Sequence, residues 1–111
     1  MDLVSLTRYL ANPADTVALI AILRSPMVGL TLKDLGLLTP ILTRYSLAAA
    51  VEKVADGSFE LSTDGQKRSV FALKALLWAE GKRDRLNLVN WVEETWKRLG
   101  GDLILPTEEE P

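Results

Sequence analysis

The sequence contains neither cysteine nor histidine. Without cysteine the chain can form no disulfide and no thiolate metal site, and without histidine it lacks the commonest metal ligand and the usual general base. Most hydrolytic mechanisms therefore lose their usual base. The missing cysteine is also compatible with a reducing, cytoplasmic setting.

Long apolar runs are missing too. The longest, residues 17–23, is far shorter than the roughly 20 residues that a helix needs to span a bilayer. The first residues, MDLVSL, lack the basic start of a signal peptide. We therefore expect neither membrane insertion nor secretion.

Motifs for chemistry are absent from the sequence as well. It has no G-x-x-x-x-G-K-[ST] phosphate loop, no G-x-G-x-x-G turn, no H-E-x-x-H helix and no G-x-S-x-G elbow. Helix capping and the helix dipole explain the carboxylates near predicted helix ends, which are Asp2, Asp15, Asp34, Asp56 and Asp64. We predict no catalytic, cofactor-binding or metal-ligating residue, and an independent enzyme is the least favoured of three hypotheses.

What the chain does contain is enough apolar surface for one folded domain. It has 111 residues, of which 48% are hydrophobic and 25% charged, with a formal net charge of −2. This length and composition suit a single domain with one core. We expect a folded part over about 2–101 and an acidic, partly mobile tail over 102–111.

Hydrophobic residues recur at helical spacing along most of the chain. We predict an all-α fold, a compact bundle of about five to six helices. Asn12-Pro13 and Thr39-Pro40 have the pattern of helix starts, and Thr31 and Thr63 begin candidate capping boxes. The second helix lacks a polar face and is expected to be buried on most sides. The predicted helices cover 2–11, 13–24, 31–38, 40–55 as one helix or two, 63–80 and 87–99.

The three tryptophans allow two interpretations. Trp91 and Trp96 share an apolar stripe with leucine and valine on the last helix. Core packing is the stronger interpretation for this pair. Stacking on nucleic-acid bases is the alternative, and it is most open for Trp78.

Basic residues concentrate between 67 and 85. Six lysines and arginines lie there with only two acidic residues. Such a group contacts nucleic-acid phosphates or forms an ordinary solvated helix face, and both interpretations carry similar weight.

The stretch NPADTVALIAILRSPMVGLTLKDL, residues 12–35, combines an NP.D helix junction, an apolar helix, an arginine-serine-proline turn, a VGL element and an acidic helix start. In this order of features the chain resembles the UvrD/Rep-like superfamily 1 helicases, most closely the RecB/AddA-like exonuclease V type. The later LNLVNWVEETWKRLGG, residues 86–101, is similar to a tryptophan-containing helix and double glycine in the same proteins.

The resemblance implies an accessory 2B subdomain, a helical insertion in the second motor domain. The chain would then be an excised piece of a bacterial, cytoplasmic ATP-dependent helicase or helicase-nuclease that acts in DNA repair and recombination. ATP and Mg²⁺ would belong to the parent motor, because the Walker A lysine and Walker B acidic pair are absent here. A natural standalone relic is the alternative.

The resemblance also implies a contact with duplex DNA. In UvrD-like helicases a glycine-hydrophobic-glycine element after the proline docks on the DNA backbone, and the matching residues are Gly29, Leu30 and Thr31, where Thr31 replaces a glycine. Exposed amides at a glycine turn and a helix N-terminus suit a phosphate. Further candidates for the DNA backbone are Lys33, Lys67 and Arg68.

A third hypothesis is a protein-interaction module. In this interpretation the domain docks on the remaining domains of the parent helicase, or on subunits of a recombination complex, through apolar surface. The candidate residues for this surface are Met27, Val28 and Trp78.

Overall fold

Six α-helices and no strand make up the part of the chain that the structure, a computed structural model, describes: residues 3–26, 28–57 and 59–100. The predicted all-α class is confirmed. None of the described helices is long and apolar enough to cross a membrane. The tail predicted for 102–111 lies outside the described residues. The helices are α1 Leu3–Ala11, α2 Thr16–Leu23, α3 Leu32–Arg44, α4 Leu47–Ala55, α5 Thr63–Gly81 and α6 Leu88–Arg98.

Side-chain caps begin five of these helices. In each case an oxygen of the capping side chain accepts a hydrogen bond from a backbone amide three residues later, which satisfies a donor that the helix itself leaves unpaired. The predicted cap at Thr31 is confirmed. The capping residues are Asp15, Thr31, Ser46, Ser62 and Asn87.

Two predicted helix starts are displaced. Asn12 does not cap α2, because its Oδ1 atom accepts the amide of Ala14 at 3.2 Å in a local turn. Asp15 caps the helix instead and accepts the amide of Ala18 at 3.0 Å. At α5 the cap is Ser62 rather than Thr63.

The predicted helix start at Thr39-Pro40 is wrong, because α3 continues through Pro40 to Arg44. The hydroxyl of Thr39 donates to the carbonyl of Leu35 at 2.8 Å, so it bonds back along α3 and caps nothing. Proline costs the helix one amide hydrogen bond to the residue four positions earlier. Here that residue is Gly36.

The expectation that α2 is buried on most sides is also wrong. Its buried residues are Ala18, Leu19, Ile22 and Leu23, whereas Val17 is 72% exposed. The main neighbours of this short helix are α1 and α3, and they leave part of its first turn open to solvent. The longest of the described helices is α5, and its main neighbours are α4 and α6.

Core packing of the tryptophan stripe on α6 is confirmed for Trp91. Its ring is buried, and its Nε1–H donates to the carbonyl of Ala79 on α5 at 2.9 Å. Trp96 is partly buried and packs against the core. Leu88, at the start of the stripe, is 53% exposed. The bond from Trp91 therefore joins α6 to the last turn of α5.

Ser69 is a fully buried residue of α5 whose hydroxyl has no hydrogen-bond partner in the part of the chain described. Because a buried unpaired hydroxyl costs free energy, we expect Ser69→Ala to raise the free energy of unfolding by about 1 kcal/mol. Urea denaturation would measure this. As a matched control, Thr95→Val should lower stability, since the buried Thr95 hydroxyl donates to the carbonyl of Trp91 at 2.8 Å. A loss of stability in Ser69→Ala would contradict the prediction.

Candidate nucleic-acid interface

The elbow, which we define as residues 25–31, joins α2 to α3 and contains three of the predicted DNA contacts. Ser25 is buried, and its carbonyl accepts the amides of Val28 at 3.1 Å and Gly29 at 3.0 Å. Gly29 is exposed with φ +72°, a conformation that favours glycine. The predicted turn is therefore confirmed. The prediction that its glycine presents a bare amide is wrong, because the turn satisfies that amide internally.

Backbone amides without an intrahelical partner are found next to the elbow, at the start of α3. The first turn of a helix leaves amides without intrahelical partners, and they meet the positive end of the helix dipole. Thr31 satisfies one of them, since its Oγ1 atom accepts the amide of Asp34 at 3.1 Å. The amides of Leu32 and Lys33 precede that position, and both residues are exposed. An anion could be bound there with the Lys33 side chain beside it.

Arg68 on α5 connects that helix to the elbow. Its Nη1 atom donates to the carbonyl of Val28 at 3.3 Å, while its Nε atom donates to Asp64 at 2.7 Å. A Cβ atom added to Gly29 would lie 2.5 Å from Arg68 Nη1. The φ angle of Gly29 therefore favours glycine, whereas the flexible Arg68 side chain could shift to admit a Cβ atom. The structure brings the predicted residues Gly29 and Arg68 into contact.

Two lysines carry positive charge near the starts of α3 and α5. Lys33 is exposed in the first turn of α3, and Lys67 is exposed beside Arg68 near the start of α5. Among the described residues no ion pair includes either lysine, whereas Arg68 is paired with Asp64. The charge available to a phosphate near the starts of α3 and α5 therefore includes that of Lys33 and Lys67.

Asp34 links the starts of α3 and α5. It is 2% exposed, and its two carboxylate oxygens accept the amide of Ser62 at 2.9 Å and the hydroxyl of Ser62 at 2.6 Å. The bond from the Ser62 hydroxyl has the largest effect, and together with the bond from the Ser62 amide it holds the pKa of Asp34 below its ordinary value. The charge of Lys33 also lowers this pKa, whereas burial raises it. The buried negative charge also offsets part of the positive potential at both helix starts.

Sequence reasoning missed this link. The capping-box pattern assigned Asp34 to its own helix, whereas the structure directs the carboxylate to a residue 28 positions later. A signal was present in Gly65, an otherwise unfavourable residue for the first turn of a long helix. A Cβ atom there would lie 2.5 Å from Cγ of Asp34 and in contact with its Oδ2 atom.

The three candidates for a docking surface have different outcomes. Met27 lies outside the described residues. Val28 is 3% exposed and belongs to the core, so its assignment to a surface is wrong; the turn that closes on Ser25 folds it inward. Trp78 is partly buried, and the guanidinium of Arg98 lies 3.8 Å from its ring centroid.

The described residues include no group of three or more aspartates or glutamates that could hold a metal ion. No family model matches the chain, and neither a curated protein nor a solved structure matches it. The resemblance to superfamily 1 helicases therefore remains a hypothesis based on the residues of the two stretches themselves.

Proposed function

We propose that this domain is an accessory 2B-like domain of an ATP-dependent DNA helicase or helicase-nuclease, which contacts the backbone of duplex DNA and tunes the motor. It neither hydrolyses ATP nor cuts DNA alone. ATP and Mg²⁺ are bound by the parent motor, and the partners are the remaining domains of the parent and subunits of a recombination complex. The setting is the bacterial cytoplasm.

The observation that carries this proposal is the arrangement around the elbow. The glycine turn is tied to α5 through Arg68. Lys33 and Lys67, which form no ion pair with a described residue, lie in the first two turns of α3 and α5. Lysine suits a phosphate as a flexible point charge, and helix N-termini favour anions. Contacts of this kind position a duplex without reading its sequence.

Lys33→Glu tests the proposal directly. At low salt we expect the substitution to weaken binding of a duplex of about 20 base pairs by roughly tenfold and to reduce the salt slope by about 1. The physical reason is the loss of one phosphate contact and its replacement by a like charge. Fluorescence anisotropy over a salt series would measure both quantities.

Arg44→Glu provides the matched control for that experiment. It makes the same change in net charge at an exposed position in the last turn of α3, away from the elbow. We expect it to bind duplex nearly as well as the wild-type chain. Equal losses in the two variants, or wild-type affinity no better than that of a neutral protein at low salt, would contradict direct duplex contact.

Protein docking is a second candidate function because the domain has an exposed apolar groove. A groove of about 580 Å³ lies between α1 and α6, where Leu3 is 49%, Leu88 53% and Val89 74% exposed. The occupant would be the parent motor or a recombination subunit. Salt should matter little to such a contact, because burial of apolar surface is not screened. The same anisotropy series separates the candidates, since a docking module binds no duplex.

A further inference from the structure

Lysines and aromatic residues alternate along one side of α5. The residues on this side are Lys67, Phe71, Lys74 and Trp78, at spacings of four, three and four residues, and Lys82 follows as the C-cap of the helix. Side chains with these spacings lie on the same face of a helix. Phe71 is 55% exposed, so much of its ring is accessible from solvent.

The last turn of α6 extends this surface. Lys97 and Arg98 border a shallow groove of about 370 Å³ together with Phe71, Lys74 and Trp78. The Arg98 guanidinium lies 3.8 Å from the Trp78 ring centroid, a cation–π contact that fixes both side chains. We name this surface the basic–aromatic face, and its residues are Phe71, Lys74, Trp78, Lys97 and Arg98.

Charge on the basic–aromatic face is largely uncompensated. Lys97 pairs with Glu94 at 4.0 Å, with both side chains about half exposed, so this pair neutralises little. No ion pair within the described residues includes Lys74 or Arg98. The whole chain has a formal net charge of −2, so this concentration of positive charge is local. Its complement is a polyanion.

The exposed ring of Phe71 indicates which class of polyanion fits the basic–aromatic face best. The carboxylates of an acidic protein segment would complement the lysines, but aspartate and glutamate side chains have no aromatic face to stack on Phe71. A duplex offers phosphates, but its bases are already stacked inside the helix. A single strand offers both a charged backbone and unpaired bases, and each base has a face that stacks on an aromatic ring.

We propose that the basic–aromatic face binds single-stranded nucleic acid. Lys74, Lys97 and Arg98 contact its phosphates, and an unpaired base stacks on Phe71. Trp78 supports the site through its contact with Arg98. Lys33, in the first turn of α3, is not part of this face, so single-strand binding does not depend on the proposed duplex contact.

Phe71→Ala is the critical substitution. By anisotropy of labelled oligothymidylate of about 15 nucleotides, we expect it to weaken binding about tenfold without changing the salt slope, because it removes stacking and no phosphate contact. Lys74→Glu should weaken binding too, but it should also reduce the salt slope by about 0.7. Val17→Ala and Arg44→Glu are matched controls at exposed apolar and basic positions outside the face.

Phe71 and Lys74 are exposed, so both variants should fold, which thermal unfolding followed by circular dichroism would verify. Phe71→Ala should leave duplex binding unchanged, and Lys33→Glu should leave oligothymidylate binding unchanged. These crossed measurements distinguish failure of this proposal from failure of the duplex contact.

Three results would overturn the proposal. The first is no binding of oligothymidylate by the wild-type chain at low salt. The second is wild-type affinity in Phe71→Ala, which would reduce the face to a phosphate contact without stacking. The third is binding of polyglutamate as tight as that of oligothymidylate, which would identify an acidic protein surface as the partner.

Discussion

Asp34→Ala is expected to lower the free energy of unfolding by about 3 kcal/mol at neutral pH. The substitution removes two charge-assisted hydrogen bonds between the starts of α3 and α5, and it leaves the amide of Ser62 without its acceptor. It also creates a small cavity at a position that is 2% exposed. Urea denaturation would measure the change.

The difference in the free energy of unfolding between the wild-type chain and Asp34→Ala should depend on pH in a defined direction. Because the folded pKa of Asp34 is lowered, its ionised form stabilises the fold. This contribution is complete above the unfolded pKa of about 3.9 and is lost as the pH falls through the lower folded value. We therefore expect the stability gap between wild type and Asp34→Ala to be constant near neutral pH and to narrow below about pH 4.

Asp64→Ala is the control for Asp34→Ala. Asp64 is 73% exposed and pairs with Arg68 on the surface, so its loss should change stability far less. A gap that stays constant down to strongly acidic pH, or equal effects of the two substitutions, would contradict the assigned role of Asp34.

Gly65→Ala is expected to destabilise the domain by about 2 kcal/mol, although alanine is intrinsically the better helix former by about 1 kcal/mol. The added Cβ atom would lie 2.5 Å from Asp34 Cγ and 2.8 Å from Ser62 Oγ. The carboxylate cannot move away without losing its bonds to Ser62. Thermal or urea unfolding would show the effect.

Gly36→Ala is the matched control, because Gly36 lies inside α3 and a Cβ atom there would meet nothing within 4 Å. We expect it to raise stability by about 0.5–1 kcal/mol, as the helix propensity alone dictates. The double variant Asp34→Ala/Gly65→Ala should lose less stability than the sum of the two single variants, since the methyl group then fills the space of the carboxylate. Strict additivity would argue against this close approach.

Local sequence signals predicted the helical class and much of the element order. Apolar spacing placed helices near their observed positions, and the cap at Thr31 and the buried Trp91 were anticipated correctly. These features depend on residues within one or two helical turns of each other, so the local sequence is sufficient to predict them. Pro40 shows the limit, because a proline that usually starts a helix is accommodated inside α3.

The candidate site was predictable only in its residue types. Gly29, Lys33 and Lys67 could be named from the sequence, but the internal bond of the Gly29 amide and the contact of Arg68 with Val28 could not. Val28 itself was assigned to a surface and is buried. Burial and hydrogen bonding at a turn depend on which helix packs over it. That helix is far away in the chain, so the residues near the turn do not reveal it.

The amino-acid order alone was sufficient for the all-α class, because helix periodicity and capping act over a few residues. Tertiary packing decided which carboxylate links α3 to α5, which side of α2 faces solvent, and how α6 brings Lys97 and Arg98 to the aromatic residues of α5. The physical reason is that these outcomes depend on residues far apart in the chain, whose proximity is determined by the cooperative burial of a common core.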